Sequence, residues 1–324
     1  MISPREMAIA QLADLLSPVR EQLRLVEARI SEAVQTEQPE LTAAYRSLLA
    51  GGKRLRPALT LLAAGPDGAA KAEVIALGAA LEMLHAATLI HDDVVDAAPV
   101  RRGQPTIYAR QGADVAILAG DHLFARAAVV VTETQSFEAL RVFAQTLVTI
   151  SDGELRQVWR NSHLPDMDEY LRLIYAKTAC LFESAALGGA LLAGLPRTHV
   201  ERFARYGRDL GLAFQIADDA LDYSGNPDVM GKPAQNDLER GLLTLPALLC
   251  LWDGGHDGRS LDLSSKSERQ RLVQSVLAGG FHRQALERAR AYAEQAWESI
   301  AGIVEGAYAE SLRGLAGFAT ARTS

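Results

Sequence analysis

The sequence predicts an all-α fold, a single domain in which antiparallel helices enclose one core. Three observations carry that prediction. Ala and Leu abound while aromatic residues make up only 6% of the 324 residues, a composition that favours helices over sheets. Apolar residues recur at helical spacing over most of the chain, with no strand-like alternation of useful length. Two acidic clusters of the same spacing, Asp92-Asp93-Val94-Val95-Asp96 and Asp218-Asp219-Ala220-Leu221-Asp222, each end a long apolar run.

Taken in order, residues 5–36 form a long amphipathic pattern that Pro18 can kink. Pro39 starts a helix towards Leu49, Gly51-Gly52 ends it, and Lys53-Arg54-Leu55-Arg56-Pro57 opens the next. Gly65-Pro66-Asp67-Gly68 reads as a turn. A helix over 71–96 carries the first Asp cluster at its C-terminal end, and Pro99 to Pro105 is a basic loop. Helices follow over 112–133, 136–162, 166–194 and 197–223, with Asp166 as a cap and Gly194-Leu195-Pro196 as a stop. The second Asp cluster ends the last of them. A Gly- and Pro-rich loop over 225–233 precedes a helix over 242–252, and a linker-like stretch runs from Gly254 to Ser265. Helices over 267–278, 282–302 and 303–320 close the chain, and the segment after the linker is too short for a second domain, so 1–324 is read as one.

Composition narrows the function. Apolar residues make up 48% of the chain, enough for a substantial core, and the net charge of −7 excludes a general attraction to nucleic acid. Any anion site must be a local basic cluster. Cys180 and Cys250 sit in apolar helical surroundings and read as buried hydrophobes in a reducing, cytoplasmic setting. The start shows no basic segment followed by an apolar one. No uninterrupted apolar stretch approaches the length of a membrane span, so no transmembrane segment is expected.

Asp92 and Asp96, four apart, share a helix face about 6 Å apart along the axis. Carboxylates at the end of a buried helix are costly unless paired or bound to a cation, and Mg²⁺ uses one or two carboxylates together with substrate phosphates. One such cluster reads best as a solvated helix end. Two of them suggest facing walls of a cavity whose carboxylate rim holds Mg²⁺ and a diphosphate. Lys53, Arg56, Arg101, Arg102, Lys177 and Lys232 are the cations available for the remaining phosphate charge. Apolar walls below such a rim describe an isoprenoid substrate, with metal ions stabilising the departing diphosphate and a water-poor pocket protecting the carbocation.

These pieces, in this order, resemble the trans-isoprenyl diphosphate synthase (polyprenyl synthetase) family over residues 45–250. The likeness rests on Gly51 to Pro57, His85, Asp92 to Asp96 with Arg101-Arg102-Gly103, Ala119-Gly120-Asp121, Gly153-Glu154 with Gln157, Lys177-Thr178, Phe214-Gln215 with Asp218-Asp219 and Asp222, Gly231-Lys232-Pro233, and Thr244-Leu245-Pro246. It implies an antiparallel bundle around a deep central cavity, the isoprenoid synthase type. It also implies Mg²⁺-dependent head-to-tail condensation of an allylic diphosphate with isopentenyl diphosphate. By position, Asp92, Asp96 and Asp218 ligate the three expected Mg²⁺ ions, with Asp93 and Asp222 supporting. Arg101, Lys177 and Lys232 hold the allylic diphosphate, and Lys53, Arg56, His85 and Arg102 hold isopentenyl diphosphate. Thr178 and Gln215 sit near the developing cation. The family commonly has a lysine where this sequence has Leu242; Arg240 is the nearest substitute, and weaker allylic binding is expected.

Leu84, Ala87 and Thr88, below Asp92 on its helix, are the expected chain-length residues. They are small or aliphatic at the first layer, and the first Asp motif lacks the two-residue insertion of the bacterial short-chain pattern. A helix of about 26 residues lines roughly 39 Å, which points to a medium- or long-chain product. A geranylgeranyl or farnesyl diphosphate synthase, a class I terpene cyclase and a subunit of a heteromeric synthase are the alternatives. The resemblance also implies a homodimer, with a heteromer left open. Outside the resemblance His85 reads as a core histidine. His91 reads as structural and Asp121 as a satisfied buried acid. Glu154 and Gln157 face the cavity or pack helices, and Val129, Val130 and Val131 form core or tunnel floor.

Overall fold

The computed structural model describes residues 4–50, 52–159, 164–224, 236–239, 241–255 and 261–321. Its helices are α1 (Pro4–Leu15), α2 (Arg20–Ala33), α3 (Pro39–Leu49), α4 (Leu55–Gly68), α5 (Ala72–Val95), α6 (Ile107–Gln111), α7 (Ala113–Thr132), α8 (Phe137–Val158), α9 (Met167–Ile174), α10 (Cys180–Ala193), α11 (Arg197–Ser224), α12 (Asn236–Glu239), α13 (Leu245–Asp253), α14 (Lys266–Ala278), α15 (Phe281–Ile300) and α16 (Gly306–Ala321). The all-α expectation holds. The pattern over 5–36 is broken at Pro18, where a 3₁₀ turn (Ser17–Val19) separates α1 from α2. Gly65, at φ 72°, makes the turn expected inside the Gly-Pro-Asp-Gly stretch. Asp166 caps α9 with a capping box closed by Glu169.

Two departures matter for function. The expected basic loop is a hairpin, with β1 (Val100–Arg101) pairing antiparallel to β2 (Gln104–Pro105). Its two-residue connection, Arg102 at φ 51° and Gly103 at φ 76°, has the left-handed signature of a type I′ turn. The expected helix over 166–194 is interrupted by a π-helical turn (Tyr175–Ala179) that carries Lys177 and Thr178. Such turns insert one residue into an α-helix and recur at functional sites.

α10 is the hub, packing against α4, α5, α8 and α11, and α11 also packs along α15. Glycines bring three of these helices together with no side-chain layer between them. Gly189 of α10 lies against the Thr60 carbonyl of α4. Gly207 and Gly211 of α11 lie against the backbone of α10 at Phe182 and against Ala179 of the turn before it. The large core cluster includes Leu59, Leu62, Leu77, Leu81, Met83 and Leu84, all with 0% exposure.

Three helices are long and apolar enough to cross a membrane by length and composition: Ala72–Val95, Ala113–Thr132 and the run Met167–Ala193. This corrects the expectation drawn from uninterrupted runs, because a window that admits two charges finds spans that an unbroken run misses. The first and third are 72% and 67% buried inside the bundle, whereas Ala113–Thr132 is only 39% buried. The difference comes from an open apolar face on α7. Val129, expected in the core, is part of it, while Val130 and Val131 are buried.

Candidate active site

The C-terminal end of α5, the N-terminus of α4 and the hairpin bring the basic residues together. Arg54 caps α4 with left-handed backbone at φ 53°. Its guanidinium donates to the Leu49 carbonyl at 2.6 Å and pairs with Glu82 at 3.2 Å and Glu27 at 3.4 Å. Arg56, two residues on, stacks over the Phe182 ring at 5.1 Å, and its Nε is buried with no hydrogen-bond partner among the described residues. The Lys53 ammonium lies over the Phe318 ring at 5.7 Å. His85 is half-buried, and desolvation together with Arg56, Arg102 and Arg101 pushes it well below the ordinary imidazole range. It is a neutral imidazole ringed by cations, as a phosphate-facing hydrogen-bond group would be. Phe182 and Phe318 also line, with Leu55 and Phe214, a small apolar cavity under these two cations.

The two Asp motifs divide their work alike. Asp92 is half-buried and Asp218 exposed. The next residue of each turns inward. Asp93 is buried and accepts from Arg101 Nε at 2.8 Å, and burial still holds its carboxyl above the usual range against that arginine. Asp219 is buried and accepts from Gln215 Nε2 and from the Tyr170 hydroxyl, both at 2.7 Å. Gln215 Oε1 in turn accepts from Thr178 at 2.7 Å. Asp93, expected among the catalytic carboxylates, is thus buried and paired with Arg101. Asp219 and Tyr170, which sequence reasoning assigned no role, orient Gln215 and Thr178. The signal for them was the spacing, since Asp219 is four residues after Gln215 and so shares its helix face.

Asp96 is half-buried and Asp222 buried. Among the described residues no three His, Cys, Asp or Glu side chains lie close enough to hold a metal by themselves. The donor set still fits Mg²⁺, which takes hard carboxylate oxygens and completes its shell with substrate phosphates and water. The buried Nε of Arg56, without a hydrogen-bond partner among the described residues, is a donor that suits an anion on one side of the site.

Lys177 pairs with Glu154 at 3.4 Å. Gly153 lets α8 approach the π turn closely enough for that contact, because a Cβ there would collide with Ala176. Glu154 thus meets a site residue, and Gln157 is half-buried with no assigned contact. Leu242 is half-buried; Lys232, Arg240 and Gly51 lie outside the described residues. His91 is structural as expected, its Nε2 lying 3.2 Å from the Ile117 carbonyl and its ring beside Phe124. Asp121 is not a buried acid: its side chain is 63% exposed, beside His91. On α5, Leu84 and Ala87 have 0% exposure, while Thr88 is half-buried and donates to the His85 carbonyl at 2.7 Å. The layer below Thr88 is closed by packing.

Behind the π turn, Asp209 of α11 has its carboxyl pushed up to about 6 by burial, against the pull of Arg208. The unfolded carboxyl titrates near 3.8. The native state therefore keeps a proton between those values that the unfolded state has lost, and stability falls as pH rises through that window. Asp209→Asn is expected to raise stability at pH 7.5 by about 1 kcal/mol after solvent screening. The gain should vanish near pH 4; urea titrations at both pH values measure it.

Known proteins resemble this chain in sequence and in fold. A family model described as polyprenyl synthetase matches residues 38–277. Heptaprenyl diphosphate synthase component 2 of Geobacillus stearothermophilus is 35% identical over 309 residues, 94% of this chain and 96% of that protein. All-trans-nonaprenyl-diphosphate synthase (geranyl-diphosphate specific) of Rhodobacter capsulatus is 34% identical over 315 residues, 94% and 96% of the two. The crystal structure of a polyprenyl synthase from Caulobacter crescentus CB15, complexed with calcium and isoprenyl diphosphate, matches with a TM-score of 0.89 at 36% identity, covering 97% of this chain and 98% of that one. Sequence match and fold match extend over the same residues that build the site, and the chain belongs to the polyprenyl synthetase family, as a prenyltransferase of the polyprenyl diphosphate synthase class.

Proposed function

We propose that this chain joins an allylic diphosphate to successive isopentenyl diphosphates and releases a medium- or long-chain trans-polyprenyl diphosphate. The observation that carries the reading is the shared division within the two Asp motifs. The first carboxylate of each is open to ligand, and the second is tied to a neighbour that would touch substrate, Arg101 through Asp93 and Gln215 with Thr178 through Asp219.

In this reading Arg101, Lys177 and Lys232 hold the allylic diphosphate, and Lys53, Arg56, Arg102 and neutral His85 hold isopentenyl diphosphate. Asp92, Asp96, Asp218 and Asp222 would hold Mg²⁺, three ions together with the allylic diphosphate, and the metal would supply the charge that stabilises the leaving group. The allylic C–O bond breaks, leaving a carbocation beside Thr178 and Gln215. The isopentenyl double bond attacks it, and the proton lost afterwards goes to the released diphosphate. The names of the relatives, heptaprenyl and nonaprenyl diphosphate synthases, support a long product.

The whole chain is taken as one domain, working as a homodimer in the cytoplasm. The open apolar face of α7 and α8 supports the dimer, since Leu118, Val129, Val158 and Trp159 are each more than half exposed. The free cysteines fit a reducing compartment. One relative is named as a component of a synthase, so a heteromer is the second reading, with Leu242 as the residue that would weaken this chain alone.

Incubation of the purified protein with Mg²⁺, labelled isopentenyl diphosphate and allylic primers tests all of this, with light scattering for the oligomer. Farnesyl or geranylgeranyl diphosphate as the terminal product sinks the long-chain reading. Cyclic hydrocarbon indicates a cyclase, and no turnover on any primer indicates a partner subunit. Within that assay Ala87→Phe is expected to shorten the product. Ala87 has no free space around it, so the ring also overpacks the interior by about 1–3 kcal/mol. Unchanged product length in the folded variant would show that this column does not receive the growing chain.

A further inference from the structure

Glu82 lies on α5, one helical turn before His85, and is only 6% exposed. A carboxylate so buried needs partners. Its Oε1 is 3.2 Å from Arg54 Nη1, with both side chains buried or nearly so. Arg56 and Arg102 each feel Glu82 as their strongest neighbouring charge. Glu82, Arg54 and Arg102 meet at Gly52, where an added Cβ would lie 3.5 Å from both Glu82 Oε1 and Arg102 Nη1 and would collide with Arg54 Nη1. Arg54 also holds left-handed backbone at φ 53° as the cap of α4, a conformation that costs energy outside glycine.

We propose that Glu82 is a positioning residue for isopentenyl diphosphate binding: a buried counterion that holds the guanidiniums of Arg54, Arg56 and Arg102 in one fixed array before substrate arrives. The inference rests on the assignment of these cations to isopentenyl diphosphate. Arg54 is the rigid member, clamped by Glu82, Glu27 and the Leu49 carbonyl. Arg56 and Arg102 keep donors for phosphate. Without the carboxylate, the cations repel one another and must be gathered anew by each incoming diphosphate.

The test is steady-state kinetics of Glu82→Gln with each substrate varied in turn, alongside Arg56→Ala. Glu82→Gln is expected to raise KM for isopentenyl diphosphate at least tenfold, to leave KM for the allylic primer within twofold, and to steepen the dependence of the first KM on salt. Equal rises in both KM values would make Glu82 a general structural residue and overturn the proposal. A fall in KM for isopentenyl diphosphate would overturn it too, since Glu82 would then be competing with phosphate. If Glu82→Gln fails to fold, Glu82→Asp is the second variant, expected to give a smaller rise confined to isopentenyl diphosphate; no selective rise overturns the proposal. Arg56→Ala separates the two levels. If it raises KM for isopentenyl diphosphate while Glu82→Gln does not, the proposal fails and the site assignment stands. If Arg56→Ala leaves that KM unchanged, the site assignment itself fails.

Discussion

Asp218→Ala is expected to lower kcat by about 10³-fold, the scale for removing one preorganised electrostatic contact to a leaving group, and to leave the fold untouched. Asp218 is exposed near the end of α11, so its loss should change stability by no more than about 0.5 kcal/mol. Its neighbour behaves otherwise. Asp219→Ala removes the acceptor of Tyr170 and Gln215 in a buried setting, at a stability cost of about 2 kcal/mol, and also loosens Thr178 through Gln215. Two adjacent aspartates thus give opposite signatures, one kinetic and one thermodynamic as well. Single-turnover rates and denaturant midpoints on both variants measure them. If Asp218→Ala retains near-normal turnover at saturating Mg²⁺, the metal role of the second motif is wrong.

Gly189→Ala is expected to be the most destabilising single-methyl change considered. The new Cβ would lie inside the Thr60 carbonyl of α4, and a backbone oxygen inside a helix cannot rotate away as a side chain can. The helices must separate, at a cost of about 3 kcal/mol. Gly317→Ala in α16 is the control. It meets nothing within 4 Å and should gain about 0.5–1 kcal/mol from helix propensity. Thermal denaturation of the pair decides the matter, and a neutral Gly189→Ala would mean that α4 and α10 are less tightly apposed than described.

Much of this was legible in the sequence, and particular residues show why the rest was not. Helix periodicity located nearly every long element because each has one buried face. The π turn was invisible, since Tyr175 to Ala179 carry no Gly or Pro and one extra residue does not interrupt the helical pattern of 166–194. The hairpin escaped because two-residue strands are too short to alternate; only Arg102-Gly103 hinted at the turn. The paired aspartates were legible as a motif, but a helix turns about 100° per residue. That tells which aspartate leaves the face and not what it meets there. Glu82 carried no signal in the sequence, because its partners arrive from a helix cap and a hairpin whose paths are set only by the fold.

The glycine contacts among α4, α10 and α11 bear on how two substrates find each other. Arg56 stands in the first turn of α4, Lys177 and Thr178 in the turn that leads into α10, and Gln215 and Asp218 on α11. Where helices touch through backbone, no intervening layer of side chains can shear or breathe. In the proposed assignment, the separation between the two diphosphate-holding groups is then set by direct backbone contact between helices rather than by soft side-chain packing. Such a frame acts as a gauge, and holding reactants in fixed register is worth an effective concentration of roughly 10⁵–10⁸ M in favourable cases. A condensation repeated many times per product gains that factor at every cycle, so the glycines contribute to the rate of each addition without touching any atom that reacts.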